Sequence, residues 1–187
     1  ANIECNDKDL IDFSSMGAAL YKSLYPEDNP KIALLNVGLE EIKGHDEIKK
    51  AYQHLKESTK KNFDFYGYIE GNHIMDGNVN VIVTDGFTGN IALKTAEGTA
   101  NFITKYLKEN LSKGLLNKVS LLFSYNVLKK FKEQLDPRKY NGAILLGLSG
   151  PVVKSHGSTD SRGLANSIKM CNKIVKGKLI EKIKKYL

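Results

Sequence analysis

Apolar residues along this chain follow two spacings that alternate with each other. In the longer segments they recur at every third or fourth position, which predicts amphipathic helices. In the shorter segments they form continuous or alternating runs, which predict strands. The predicted helices are 13–25, 45–58, 90–111 and 115–135, with a further one from about 159, and the predicted strands are 32–37, 63–69, 79–84 and 143–148.

Strands that are separated by helices need crossover connections, which produce a mostly parallel sheet with helices on both faces. We therefore predict an α/β fold. All 187 residues are expected to form a single α/β domain, with an amphipathic helical excursion at about 112–136. The first residues show no helix-capping signal, so the first helix is predicted only from residue 13.

The excursion contains a clearly amphipathic segment, 115–135, whose lysines lie away from its apolar face. This pattern is typical of a helix in a core or a dimer interface. It is also typical of a helix that enters the lipid interface and binds anionic lipid through its lysines. Both interpretations hold if paired helices project from a dimer. The apolar face consists of Leu115, Val119, Leu122, Phe123 and Val127.

The composition is basic, with 28 Lys and Arg against 21 Asp and Glu and a net charge of +7. Such a surface suits nucleic acid, anionic lipid or an acidic protein. Only two of the 28 are Arg, the residue most used for reading bases, and no base-stacking aromatic motif is present. We therefore expect no nucleic-acid partner. A lysine-rich composition with solvated helix faces explains the charge equally well.

The scarce cysteines and histidines predict no metal site. Cys5 and Cys171 lie far apart, and the four histidines have no metal-ligand spacing. Dinucleotide and P-loop signatures are absent, so no cofactor is expected. No apolar run is long enough for a membrane helix, and charged residues stand where a signal peptide would be apolar. We expect a cytosolic protein.

Three predicted strands run directly into polar turns that contain glycine, at 38–44, 85–90 and 149–160. In a parallel sheet such turns lie at the carboxyl edge, where α/β proteins bind their ligands. Helix N-termini at that edge present backbone N–H groups and the positive end of a dipole, both suited to an anion. The sequence therefore predicts an anion site built from three turns. Ser158 or Thr159 could instead be simple helix N-caps.

The same turns carry a family resemblance. Residues 36–44 read NVGLEEIKG, residues 83–90 read VTDGFTGN, and residues 150–160 read GPVVKSHGSTD. These motifs, with Ala1-Asn2, resemble those of the bacterial phosphate acyltransferases, which act on acyl carrier protein. The resemblance covers essentially the whole chain. Leu39 departs from it, since the family usually has Thr there, and so does His45-Asp46.

The resemblance implies a Rossmann-like three-layer α/β/α fold, similar to isopropylmalate dehydrogenase and phosphotransacetylase. It implies an acyltransferase that makes acyl-phosphate from acyl-[acyl carrier protein] and inorganic phosphate for phospholipid synthesis. It further implies a homodimer that associates peripherally with the inner face of the membrane. Members are substantially longer than this chain, so we expect it to be the C-terminal part of such an enzyme.

The matching motifs also suggest roles for individual residues. Lys43 would orient phosphate or protonate the departing thiolate, and Asn90 would bind the oxyanion or the phosphate. Thr88, with the N–H groups of Gly89 and Asn90, would hold oxygen atoms. The third turn would complete the anion site through His156, Gly157 and Ser158.

Three other interpretations stay open at this point. A phosphotransacetylase acting on coenzyme A thioesters shares the expected fold and chemistry. A nucleic-acid-binding module is a weaker alternative, because Arg is scarce. The chain could also be an inactive fragment that only dimerises, since an active site between two halves usually needs both.

Overall fold

Three parallel strands form the centre of the fold in the computed structural model, which describes residues 2–58, 62–111, 142–157 and 159–187. They are β1 (Lys31–Leu35), β2 (Asp64–Ile69) and β3 (Val81–Val83), in the order β2-β1-β3. Helices flank this sheet, which confirms the predicted α/β class and is consistent with a three-layer arrangement. The described helices are α1 (Asp7–Leu24), α2 (Asp46–Glu57), α3 (Gly86–Leu111), α4 (Ser161–Lys176) and α5 (Leu179–Tyr186).

Alternation along β1 divides the core between the two faces of the sheet. Ile32 and Leu34 are buried in a cluster to which α1 and α2 contribute Leu10, Ala18, Ala51 and Leu55. Ala33 and Leu35 are buried on the opposite face with Ile69 of β2. Because both faces of β1 are covered, it reads in the sequence as a continuous apolar run.

Helix α1 begins earlier than the periodicity indicates. Asn6 is its N-cap and accepts a hydrogen bond from the Asp9 N–H at 2.9 Å, while the Asp9 carboxylate accepts one from the Asn6 N–H at 3.0 Å. This is a reciprocal capping box. The prediction of a start at residue 13 without a capping signal was therefore wrong, because the first turn is polar and only its caps reveal it.

The predicted strand 143–148 and the loop that follows it differ most from expectation. β4 (Ala143–Leu145) pairs antiparallel with β5 (Val152–Lys154), and this hairpin is separate from the parallel sheet. It packs through Ile144 and Val153 on a second apolar cluster, formed by α1, α4 and α5 around Met16, Ala19, Ile174, Leu179 and Ile183. The third turn therefore does not leave the carboxyl edge of the parallel sheet.

Helix α3 also departs from the predicted pattern. It begins at Gly86, so the segment 85–89 that was predicted as a loop forms its first turn. None of residues 86–110 is buried against the rest of the described chain. The predicted excursion at 112–136 and its helix 115–135 lie outside the described residues.

Candidate active site at the carboxyl edge of the sheet

The turn after β1 presents Lys43 at the carboxyl edge. Its backbone N–H donates to the Glu40 carbonyl at 3.0 Å, and its side chain is exposed. The neighbouring Glu41 carboxylate ties the turn to α2, because it accepts hydrogen bonds from the Tyr52 hydroxyl at 3.1 Å and from the Lys56 ammonium. The hydrogen bond from Lys56 lowers the pKa of the Glu41 carboxyl. Lys56, rather than Lys43, therefore balances this carboxylate.

The turn after β3 is organised by Asp85. Its carboxylate accepts the Thr88 backbone N–H at 2.8 Å and the Thr88 hydroxyl at 2.7 Å, which makes it the cap of α3. Partial burial disfavours the charged form, but the hydrogen bonds from Thr88 and the backbone outweigh it, so the pKa of Asp85 is lowered. An ionised carboxylate thus occupies the positive end of the α3 dipole.

This cap decides which groups of the turn can still bind an anion. The Gly89 N–H donates to the Asp85 carbonyl at 3.0 Å, and Asn90 lies within the same hydrogen-bonded helix. The Thr88 hydroxyl has one proton, and Asp85 accepts it. The Asn90 side chain is exposed and carries its own two N–H donors. Asn90 is therefore the best placed donor of this turn.

A turn that sequence reasoning treated as a connector lies at the same edge. It follows β2 and contains a 3₁₀ turn at Gly71–His73. His73 Nδ1 lies 2.7 Å from the Asp76 carboxylate, and the Asn72 amide lies 3.2 Å from His73 Nε2. The sequence could have indicated that this turn lies at the site, because its polar residues directly follow a predicted strand and parallel strands end at one edge.

The predicted third turn, 149–160, includes β5 of the separate hairpin. His156 and Gly157 are exposed in the segment between β5 and α4, and Ser158 lies outside the described residues. Asp160, not Thr159, is the N-cap of α4, since it accepts the Gly163 N–H at 2.9 Å.

β1 and β3 are neighbours in the parallel sheet, whereas His156 lies between β5 of the separate hairpin and α4. The structure therefore brings the turns of Lys43 and of Thr88, Gly89 and Asn90 to one edge, and leaves the assignment of His156 and Gly157 to that site a prediction.

Comparison with known sequences identifies the family. The profile of a family described as "Fatty acid synthesis protein" matches residues 1–182. The chain belongs to this fatty acid synthesis protein family. The three motifs at 36–44, 83–90 and 150–160 all fall within the matched region.

Similar members of this family carry one name. A protein of Pelagibacter ubique (strain HTCC1062) named phosphate acyltransferase is 61% identical over 184 residues, which cover 98% of this chain and 55% of that protein. Phosphate acyltransferases of Sinorhizobium fredii and Paramagnetospirillum magneticum are 44% and 45% identical over 98% and 99% of this chain, and over 53% and 52% of their own lengths. The chain thus spans about half the length of the relatives it matches.

The described part of this family member offers neither a clustered metal site nor a membrane-spanning helix. Within it, no group of three or more His, Cys, Asp or Glu side chains could hold a metal ion. None of the described helices is both long enough and apolar enough to cross a membrane. Lys43, Asn90, the Asp85 cap and the His73–Asp76 pair lie in the turns at the described carboxyl edge.

Proposed function

We propose that this chain carries part of the active site of a phosphate acyltransferase, which transfers an acyl group from acyl-[acyl carrier protein] to inorganic phosphate for phospholipid synthesis. The observation that carries this proposal is the position of Lys43 and Asn90. They lie on the turns after β1 and β3, which are neighbours in a parallel sheet. A relative named phosphate acyltransferase matches over 98% of the chain.

The proposed reaction needs no covalent intermediate on the protein, because phosphate is itself the nucleophile. A phosphate oxygen attacks the thioester carbonyl carbon, and the carbonyl oxygen becomes an oxyanion. The C–O bond to phosphate forms, the C–S bond breaks, and the sulfur leaves with its electron pair as a thiolate. A thiol has a pKa of about 8.5, so protonation assists its departure but is not essential. Catalysis then depends on positioning and on oxyanion stabilisation.

The exposed side chains at the edge fit these two tasks. The Lys43 ammonium would attract and orient phosphate, or would supply the proton that the departing thiolate takes up. The Asn90 amide, with two N–H donors, would stabilise the oxyanion or bind phosphate. Thr88 and Gly89 would support Asn90 by fixing the first turn of α3 through the Asp85 cap. His156, Gly157 and Ser158 would have to approach this edge to join the site.

The acyl donor decides between this proposal and its nearest alternative. Acyl carrier protein is acidic in the resembled family, and this chain has a net charge of +7, which would favour its approach. A phosphotransacetylase would instead accept the same acyl group on coenzyme A. The exposed edge does not distinguish a carrier-bound thioester from a coenzyme A thioester, so the distinction needs an experiment.

The test is acyl-phosphate formation from inorganic phosphate with each donor in turn. The 187-residue chain is assayed alone and after mixing with the part of the Pelagibacter protein outside the match. Turnover with acyl carrier protein thioester in either sample supports the proposal. Turnover with coenzyme A thioester alone supports a phosphotransacetylase, and no turnover in the mixture contradicts both.

A second candidate function is that of a dimerising fragment without activity of its own. Two open apolar surfaces favour it. Helix α3 exposes Phe87, Ile91, Leu93, Phe102, Ile103, Tyr106 and Leu107. A groove of about 420 Å³ between α1 and β3 is lined largely by apolar residues, including Phe13, Leu20 and Val83. No turnover in either sample, together with a dimeric mass of the chain in sedimentation, would support this role.

We further propose that the protein is a cytoplasmic homodimer that associates peripherally with anionic membranes. The apolar face of α3 is the surface offered for dimerisation, and the amphipathic segment 115–135 is the part offered to lipid. Flotation with phosphatidylglycerol vesicles should recover the protein at low salt and lose it at high salt, because lysine–lipid attraction is screened. Equal recovery with neutral phosphatidylcholine vesicles would contradict a role for anionic lipid.

A further inference from the structure

Asn36 is the most deeply buried polar side chain next to the proposed site. It lies at the end of β1, is 7% exposed, and its backbone N–H continues the pairing with β2 by donating to the Ile69 carbonyl at 2.9 Å. Its side chain points into the turn that carries Lys43. Neither the family motif nor the mechanism above gives it a task.

The side-chain amide of Asn36 closes this turn. Its nitrogen donates one hydrogen bond to the Gly38 carbonyl and another to the Lys43 carbonyl, both at 3.1 Å. Because both partners are carbonyl oxygens, the nitrogen and not the oxygen must face them. The backbones of Gly38 and Lys43, five positions apart, are thereby held together by one buried side chain.

The opposite side of the Asn36 amide is equally constrained. Its oxygen is buried without a hydrogen-bond partner among the described residues. Gly44 lies directly against it, with φ +91°, and a Cβ there would come 2.2 Å from Asn36 Oδ1. Only glycine tolerates both the conformation and the contact. A buried acceptor without a partner is unfavourable, so the two donated bonds are the reason for an amide at this position.

The closed turn fixes the course of the Lys43 side chain. The Lys43 backbone is bonded on both sides, through its N–H to Glu40 and through its carbonyl to Asn36. Its side chain then crosses Gly38, where a Cβ would lie 3.1 Å from Lys43 Cγ and 2.7 Å from the Glu40 carboxylate. Because Gly38 has no side chain, the aliphatic part of the Lys43 side chain can pack over it.

We propose that Asn36 is a positioning residue that sets phosphate affinity by holding Lys43 in place. This inference rests on the proposed function, since it assigns phosphate to Lys43. It does not require Asn36 to touch phosphate. The carboxamide acts through two backbone carbonyls, and the lysine does the binding.

The test replaces the amide by an isosteric acceptor, Asn36→Asp, in the assembly that shows turnover. The KM for inorganic phosphate should rise at least about tenfold, while the KM for the thioester stays within about twofold. Asn80→Asp is the matched control. Asn80 also bridges two groups, Lys31 N–H at 2.8 Å and the Tyr21 hydroxyl at 3.0 Å, but it precedes β3 at the opposite edge. It should leave both constants unchanged.

The pH dependence supplies a readout that loss of stability alone would not give. A buried carboxyl that faces two carbonyl oxygens has a raised pKa, so it is protonated more readily and then regains one donor. The ratio of the KM for phosphate of Asn36→Asp to that of the unmodified protein should therefore decrease as pH falls from about 8 to about 5.5.

A second variant protects the test against a folding defect. Gly38→Ala leaves the Asn36 hydrogen bonds intact but displaces the Lys43 stem, so it should also raise the KM for phosphate. A normal phosphate KM in folded Asn36→Asp overturns the role of Asn36. A normal phosphate KM in Gly38→Ala overturns the dependence of phosphate affinity on the placement of Lys43, and with it the role of Asn36. Failure of the unmodified assembly to use phosphate would instead overturn the proposed function, before any variant is compared.

Discussion

At the scale of single residues, Asp85 determines how the turn after β3 can work. Its carboxylate fills the place at the start of α3 where the sequence alone predicted a bound anion, and it accepts both donors of Thr88. A phosphate at this edge therefore has to approach Lys43 and the Asn90 side chain rather than the backbone of the helix. The resembled motif contains Asp85, but its letters alone do not show that this carboxylate caps the helix.

The cap makes a testable contribution to α3. Asp85→Ala should weaken the first turn of α3 by about 1 kcal/mol at neutral pH, measured by amide hydrogen exchange between residues 88 and 91. The pKa of Asp85 is lowered from its ordinary value near 3.8. Its charge therefore stabilises the fold above that value, and the contribution disappears as pH falls below about 4. A deficit that stays constant down to about pH 2.5 would contradict this assignment.

Asn90 gives the corresponding prediction for catalysis. Asn90→Ala should lower kcat of the active assembly by about 10²–10³-fold, which is typical for the loss of one oxyanion donor. Binding of acyl carrier protein should change little, because the amide is assigned to the reacting atoms. Steady-state kinetics and a separate binding titration check the two halves of this statement. Unchanged kcat would remove Asn90 from the proposed mechanism.

At the scale of elements, two glycines in helices report opposite environments. Gly17 is buried in α1 where the helix crosses β3, and a Cβ there would lie 2.7 Å from Val81 Cγ1. Gly98 lies in α3, where a Cβ would meet nothing within 4 Å. The same substitution therefore tests a packed helix and an open one.

Alanine at these two positions should shift stability in opposite directions. Gly17→Ala should destabilise the protein by about 1–3 kcal/mol, because α1 must move away from β3. Gly98→Ala should stabilise α3 by roughly 0.5–1 kcal/mol, because alanine loses less backbone entropy. Denaturation in urea, followed by circular dichroism, measures both. Equal destabilisation by the two variants would contradict the open environment of α3.

Elements whose apolar positions face a core were predicted well. The predicted helix 45–58 is α2 (Asp46–Glu57), and the predicted strand 63–69 is β2 (Asp64–Ile69). The hairpin of β4 and β5 was not predicted, because strands of three residues carry too little alternation to show a partner or a direction. Pairing of this kind is decided by tertiary packing on α1, α4 and α5, which local sequence does not contain.

The residues of the candidate site could likewise be located from the sequence only where the parallel sheet determines their position. Polar turns directly after predicted strands located Lys43 and Asn90 at the sheet edge, because that inference needs only strand order and direction. It does not place the turn of His156, because β4 does not join the parallel sheet, so that assignment stays a prediction. It also overlooked the turn of His73, which was interpreted as a connector although it follows β2.

At the scale of the whole molecule, the chain leaves an apolar face of α3 open that a partner could cover. The chain covers 55% of the Pelagibacter relative, and its helix α3 contributes no buried residue among 86–110. Phe87, Ile91, Phe102 and Tyr106 share one face of that helix, since they are spaced by four and eleven residues. An apolar stripe of this length is typical of a protein interface.

If this stripe joins two copies of the chain, disrupting it should produce monomers. Phe102 and Tyr106 stack with ring centroids 6.0 Å apart and are 66% and 59% exposed. Replacing both with Glu places two charges in the proposed interface, where they would lose their hydration. The mass measured by sedimentation should then fall from twice 20.8 kDa to 20.8 kDa. Met75→Glu is the control, since Met75 is 77% exposed on the turn after β2, outside α3, and should leave the dimer intact. A dimer that survives the double change would contradict a dimer interface on α3, and a monomeric unmodified chain would contradict dimerisation through this stripe.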